Sequence, residues 1–131
     1  MMKTYNLFIF MMFACLMNGC RSSAITTLEA NLFEETLNQT PEPQLVDVRT
    51  PAEYAEGHLP GAILIDYGEA SFVSLIDQLD RSRPVFVYCR VGRRSLDAAT
   101  VLEKNKFTVV YNLDGGIIAW KDQGKAVVVS D

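Results

Sequence analysis

Residues 88–95, Tyr-Cys-Arg-Val-Gly-Arg-Arg-Ser, put one cysteine, Cys89, beside three guanidinium groups, Arg90, Arg93 and Arg94, and one glycine, Gly92. The chemistry open to such a set is nucleophilic, because the thiolate is the attacking species and neighbouring positive charge favours it. A free thiol ionises at about pH 8.5. Here the arginines, together with backbone N–H groups that Gly92 allows to turn inward, predict a value well below that. The plainer alternative is an inert cysteine buried at the end of a strand. Such a thiol would have no use for three arginines and a glycine beside it.

A strand and a helix must position this sulfur. Val85, Phe86, Val87 and Tyr88 form an apolar run introduced by Pro84, too short for a helix and strand-like in composition. From Ser95 the pattern changes to Leu96, Ala98, Ala99, Val101 and Leu102, a helical stripe with Asp97 in its first turn. Cys89 therefore belongs to a tight loop between a buried strand and a helix N-terminus, where unpaired N–H groups and the helix dipole stabilise an anion.

The rest of the chain supplies the frame. The sequence predicts an edge strand over 25–28 and a helix over 30–38 with Leu32, Phe33 and Leu37 on one face, closed by Pro41 and Pro43. A buried strand follows over 45–48, interrupted only by Asp47, then one or two helical turns over 51–56 with Pro51 at the first position. After a turn at 57–61 come a strand at 63–65 and a helix over 70–79 carrying Phe72, Val73, Ile76 and Leu79. Past the central pair lie a strand over 108–113, a Gly115-Gly116 turn and a helix through Trp120. Strands alternating with helices imply an α/β fold of three layers, a mainly parallel sheet of about five strands with helices on both faces. Ligands of such sheets sit beyond the carboxyl ends of the strands. Asp47 and Arg49 end a neighbouring strand, so Asp47 either pairs with a loop arginine or caps its own loop or the helix at Pro51. His58, the single histidine, reads as a hydrogen-bonding strut rather than a base for Cys89, Glu53 and Tyr54 as packing and capping a short helix, and Tyr88 and Trp120 as core aromatics.

At 131 residues the chain suits one small α/β domain, and a net charge of −4 argues against a general nucleic-acid surface and for a small anionic ligand at the local arginine cluster. Residues 1–19 read as a secretory signal: Lys3 precedes an apolar stretch over 7–17 that is short for a membrane helix. Leu16-Met17-Asn18-Gly19-Cys20 resembles the lipobox of bacterial lipoproteins, which would leave Cys20 as a lipidated first residue, 20–24 as a short linker and 25–131 as the domain. An uncleaved signal anchor or a soluble form cut elsewhere are the alternatives. Each places the domain outside the cytoplasm, on the periplasmic side of a cell envelope, and the lipid would hold it close to a membrane. Cys15 would be removed and Cys20 modified, so the mature domain keeps Cys89 alone and forms no internal disulfide.

The sequence is similar to the single-domain members of the rhodanese-like sulfurtransferases. The similarity rests on Leu-Val-Asp-Val-Arg at 45–49, Glu53-Tyr54, Gly-His-Leu-Pro-Gly-Ala at 57–62, the 88–95 segment, and Asp-Gly-Gly-Ile-Ile-Ala-Trp at 114–120, all in the family's order. It implies a two-step sulfur relay through a Cys89 persulfide, from an anionic donor such as thiosulfate or a persulfide to a thiol or cyanide, without metal or organic cofactor. It further implies a cradle made by residues 90–94, with Arg90 and Arg93 binding the donor beside Val91 and Gly92, and Arg94 either binding it or bracing the loop. It makes His58 part of a structural turn. A phosphatase or arsenate reductase would need five residues between cysteine and arginine, whereas Cys89 and Arg94 have four. A thiol-disulfide oxidoreductase would need a resolving cysteine near Cys89. A non-catalytic binding module or slow persulfide carrier is the remaining alternative.

Overall fold

The computed structural model describes residues 22–130; the expected signal segment 1–19 and Cys20 lie outside these residues. Five strands form one sheet: β1 (Ile25–Leu28), β2 (Gln44–Asp47), β3 (Ile63–Leu64), β4 (Val85–Tyr88) and β5 (Val110–Leu113). Their order is β1-β5-β4-β2-β3 and every pairing between them is parallel, so all carboxyl ends share one edge. Helices α1 (Ala30–Gln39), α2 (Pro51–Ala55), α3 (Phe72–Leu75), α4 (Arg93–Lys104) and α5 (Gly116–Asp122) alternate with them. The expected α/β architecture is the one the chain adopts.

Alternation along β4 divides the core into two. Val85 and Val87 point to one face and pack with Phe72, Ile76, Ala98, Ala99 and Leu102, under α3 and α4. Phe86 and Tyr88 point to the other, with Phe33, Leu45, Ile117 and Trp120, under α1 and α5. Phe86 is central there, edge-on to Phe33 at 5.4 Å and 4.8 Å from Tyr111. Both faces of β2 and β4 are therefore sealed, as crossover helices require of a parallel sheet.

Some expected faces rotate. In α1 the buried positions are Ala30 and Phe33, with Leu37 half-buried beside them, whereas Leu32 is exposed, one residue off that row. In α4, Ser95, Ala98, Ala99 and Leu102 face inward and Leu96 is 44% exposed. The i, i+3, i+4, i+7 row runs from a serine, so a stripe drawn through apolar residues alone starts one position late. The helix expected over 70–79 is one α-helical turn passing into a 3-10 turn at Ile76–Gln78, with Phe72 and Ile76 buried and Val73 exposed. The expected strands over 63–65 and 108–113 pair only at Ile63–Leu64 and Val110–Leu113.

We expect Phe86→Ala to lower unfolding free energy by about 3–5 kcal/mol, the range for emptying a large aromatic site in a packed core. Leu96→Ala should stay within about 0.5 kcal/mol. Urea unfolding of both variants checks this, and a large loss at Leu96 would show that the assigned helix face is wrong.

Candidate active site

Cys89 carries the alternation of β4 one step past its last residue, so its side chain enters the α4 face of the core. There its Sγ accepts a hydrogen bond from the Gly92 N–H at 3.1 Å and one from the Ser95 hydroxyl at 3.3 Å. Gly92 is the N-cap of α4 with φ of 96°, a left-handed conformation that turns the loop back over the sulfur. A Cβ there would also lie 3.2 Å from the Gly115 nitrogen and the Leu113 carbonyl.

The underside of the loop is held by the next helix. The Ile117 N–H donates to the Cys89 carbonyl at 2.9 Å and the Ile118 N–H to the Arg90 carbonyl at 3.2 Å, so the first turn of α5 hydrogen-bonds the loop backbone. This approach needs glycine at 116, where φ is 60° and a Cβ would stand 2.4 Å from the Arg90 oxygen and 2.5 Å from that of Cys89.

Burial pushes the Cys89 thiol up, yet hydrogen bonds from the Ser95 side chain and from the N–H groups of Ser95, Gly92 and Val91 outweigh it, and the net shift is below the ordinary thiol range. The charge of Cys89 is in turn one of the lesser causes holding the Arg94 guanidinium above its ordinary value, after its hydrogen bond to Glu53 and against the opposing effect of burial. Cys89 is nonetheless only 1% exposed. In the loop that follows it, Val91 is 55% exposed.

The arginines divide by role. Arg90 and Arg93 are exposed at the mouth of the loop. Arg94 instead forms a fork with Glu53, Nη1 to Oε2 at 2.9 Å and Nη2 to Oε1 at 2.7 Å, and so braces the loop against α2. Glu53 also closes a capping box with Thr50. Its carboxylate is held down at about 2, first by Arg94, against some burial, and then by Thr50.

Asp47 does not reach the loop arginines. It is fully buried and accepts from Arg49, both at the backbone N–H (2.9 Å) and at Nη2 (2.7 Å), and from the Tyr88 hydroxyl at 2.6 Å. Its partner is two residues away because Arg49 turns back across the end of β2. Arg49 Nη2 also donates to the Gly57 carbonyl at 2.7 Å and the Leu59 N–H to the Tyr88 hydroxyl at 3.0 Å. This buried group ties the ends of β2 and β4 to the turn at 57–59, next to Cys89. His58 sits in that turn, stacked on Tyr54 at 3.9 Å, its ring nitrogens on the Leu59 carbonyl and the Ser130 hydroxyl.

Sequence reading missed Ser95 and Glu53 as parts of the site and saw Gly115-Gly116 only as a turn. The Thr50-x-x-Glu53 spacing was a visible capping signal; nothing local marks Glu53 as the partner of Arg94, 41 residues on.

The pattern defining the rhodanese-like domain matches residues 29–123. The chain belongs to the rhodanese-like family. A protein of Allochromatium vinosum named sulfurtransferase is 33% identical over 107 residues, covering 82% of this chain and 98% of that one. The crystal structure of a rhodanese-like domain protein from Staphylococcus aureus superposes with a TM-score of 0.70 at 26% identity, covering 81% of this chain and 99% of that chain. The solution structure of a rhodanese-like domain from Anabaena gives 0.69 at 26% identity, covering 79% of each. This rhodanese-like domain is thus a sulfurtransferase-type enzyme in its family assignment, with the five-stranded parallel sheet of those neighbours.

Ser95→Ala should raise the Cys89 pKa, so that the pH at which iodoacetamide alkylation reaches half its maximal rate moves upward; an unmoved profile would remove Ser95 from the cradle. Glu53, whose folded pKa is depressed from 4.5 to about 2, contributes stability that is present above pH 4.5 and lost as pH falls towards 2. Glu53→Gln should therefore cost about 1 kcal/mol at neutral pH, after allowing for solvent screening, and flatten the pH dependence of urea unfolding in that window.

Proposed function

We propose that this rhodanese-like domain moves sulfane sulfur through a Cys89 persulfide. The observation that carries the reading is the Sγ held by the Gly92 N–H and the Ser95 hydroxyl at the carboxyl end of β4. The thiolate attacks the outer sulfur of thiosulfate; the sulfur–sulfur bond of the donor breaks, its electron pair leaves with sulfite, and Cys89 becomes a persulfide anion. Cyanide or a thiolate then attacks the terminal sulfur, taking it as thiocyanate or a new persulfide and returning the Cys89 thiolate. Charge is conserved in each step. Arg90 and Arg93 offer the exposed positive charge that draws an anionic donor, residues 91 and 92 the backbone donors, and Arg94 the brace that keeps the loop in shape. Asp47 and Arg49 position Tyr88 and so the strand end from which Cys89 projects.

A persulfide carrier with slow turnover is the second reading, favoured by the 1% exposure of Cys89. The domain acts in the cell envelope, on the periplasmic side, with Cys20 lipidated and the membrane a few residues from β1; the support is the apolar stretch 7–17 and the Gly19-Cys20 pair.

Incubation with thiosulfate should add the mass of one sulfur atom to the protein, and Cys89→Ala should abolish the adduct in intact-mass spectrometry. An unmodified wild type would overturn the relay. Turnover with thiosulfate and cyanide separates enzyme from carrier: a stable adduct with little thiocyanate formed marks the carrier. Cys20→Ala should move the protein from the membrane to the soluble fraction, and unchanged partition would indicate a signal anchor instead.

A further inference from the structure

Ser23 and Ala24 are fastened at the end of the domain opposite the catalytic loop. The Ser23 hydroxyl and the Ala24 N–H both donate to Glu103 Oε1, at 3.1 and 2.7 Å, and the Ala24 carbonyl accepts from the Val110 N–H at 2.8 Å. Glu103 lies in the last turn of α4, whose first turn holds the Cys89 sulfur. The twelve residues of α4 span about 18 Å, and because every strand pairing is parallel, β1 starts at the edge of the sheet away from Cys89. Beside residues 22–24 runs a cleft of about 650 Å³ lined by Ser23, Lys104, Lys106 and Phe107. Lys104 and Lys106 are exposed and enter none of the ion pairs among the described residues. Of the acids in this region Asp77 is paired with Arg81, whereas Glu103 and Asp80 accept hydrogen bonds from neutral groups, the linker and Ser82.

We propose that this pole, where Lys104 and Lys106 line the cleft beside the linker, is a membrane-contact surface for anionic lipid headgroups, and that Cys89 consequently faces away from the bilayer. The inference rests on the anchoring reading above and holds for a lipid on Cys20 or for an uncleaved apolar anchor alike. Cys20 is two positions before Ser22, a reach of about 7 Å, so the headgroup layer lies within the length of a lysine side chain or two of this pole. Each basic residue near such a surface adds attraction to anionic lipid. The sulfur donor and acceptor then arrive from the aqueous side, as a small anion or a soluble thiol, and not from within the bilayer.

The test uses the full chain in vesicles containing phosphatidylglycerol and a lipid-borne nitroxide quencher, with a thiol-reactive fluorophore on Thr108→Cys or Val91→Cys in a Cys15→Ala, Cys89→Ala background. The same chain without an added cysteine sets the background signal. At least threefold stronger quenching at 108 than at 91 is expected; equal or reversed quenching overturns the orientation. Lys104→Glu with Lys106→Glu should remove the difference in quenching at 108 between phosphatidylglycerol and neutral phosphatidylcholine vesicles, and the same two substitutions in the chain that keeps Cys89 should leave thiosulfate turnover unchanged. A persisting difference overturns the lysine contact. A chain that does not sediment with vesicles at all overturns anchor and contact surface together, whereas sedimentation with quenching at 91 overturns the contact surface alone.

Discussion

Keeping an anion inside a protein is the constraint on which this molecule turns. Burial is the largest single influence on Cys89 and opposes its ionisation, and the donors that converge on the sulfur together outweigh it and lower the thiol pKa. Those donors are the hydroxyl of Ser95 and the backbone N–H groups of residues 91, 92 and 95. They are neutral, and they belong to the 91–92 loop and the first turn of α4. Three arginines lie in the same stretch, yet the closest coupling is modest and Arg94 is committed to Glu53. Local amides therefore stabilise the charge, and the arginines serve the loop and its surroundings.

Such a cradle works only if its backbone does not drift, and the fold fixes it from three directions. From below, α5 approaches so closely that only glycine fits at 116. From the side, Glu53 and Arg94 link α2 to the start of α4 through two parallel hydrogen bonds. From behind, the Asp47, Arg49 and Tyr88 group joins β2, β4 and the 57–59 turn. Removing one member of a buried charge pair costs far more than the pair contributes in excess of a hydrophobic replacement. Its value here is geometric: Tyr88 cannot shift along β4 without breaking the contacts of both Asp47 and Leu59, and Cys89 is the next residue.

Much of this was legible in the sequence, in a way that follows the range of the interactions. The strand-loop-helix unit around Cys89 shows in the residues themselves, because apolar runs, Pro51, Gly92 and the Gly115-Gly116 pair act locally. Helix faces were harder: the inward row of α4 begins with Ser95, which no hydropathy pattern marks as buried, and Leu96 lies outside the row although it is apolar. Ion-pair partners were hardest. Asp47 was equally compatible with a distant loop arginine and with its own loop, and the outcome depended on Arg49 folding back towards Gly57, a contact set by three-dimensional closure. Arg94 and Glu53 meet for the same reason.

The division between a fixed floor and an open roof has a consequence for specificity. Beneath the sulfur, the donors are backbone groups and Ser95, so changing exposed side chains leaves the ionisation of Cys89 in place. Above it, Arg90, Val91 and Arg93 project into solvent, and Val91 makes no use of its exposed apolar surface in the loop itself. A roof residue can therefore be exchanged with little effect on the fold, while it meets any incoming donor first. The exposed positive charge of Arg90 and Arg93 thus stands in the same loop as a sulfur that is 1% exposed. The hydrogen bonds that lower the thiol pKa lie in the floor and the exposed charge in the roof, two properties that sequence change can adjust separately.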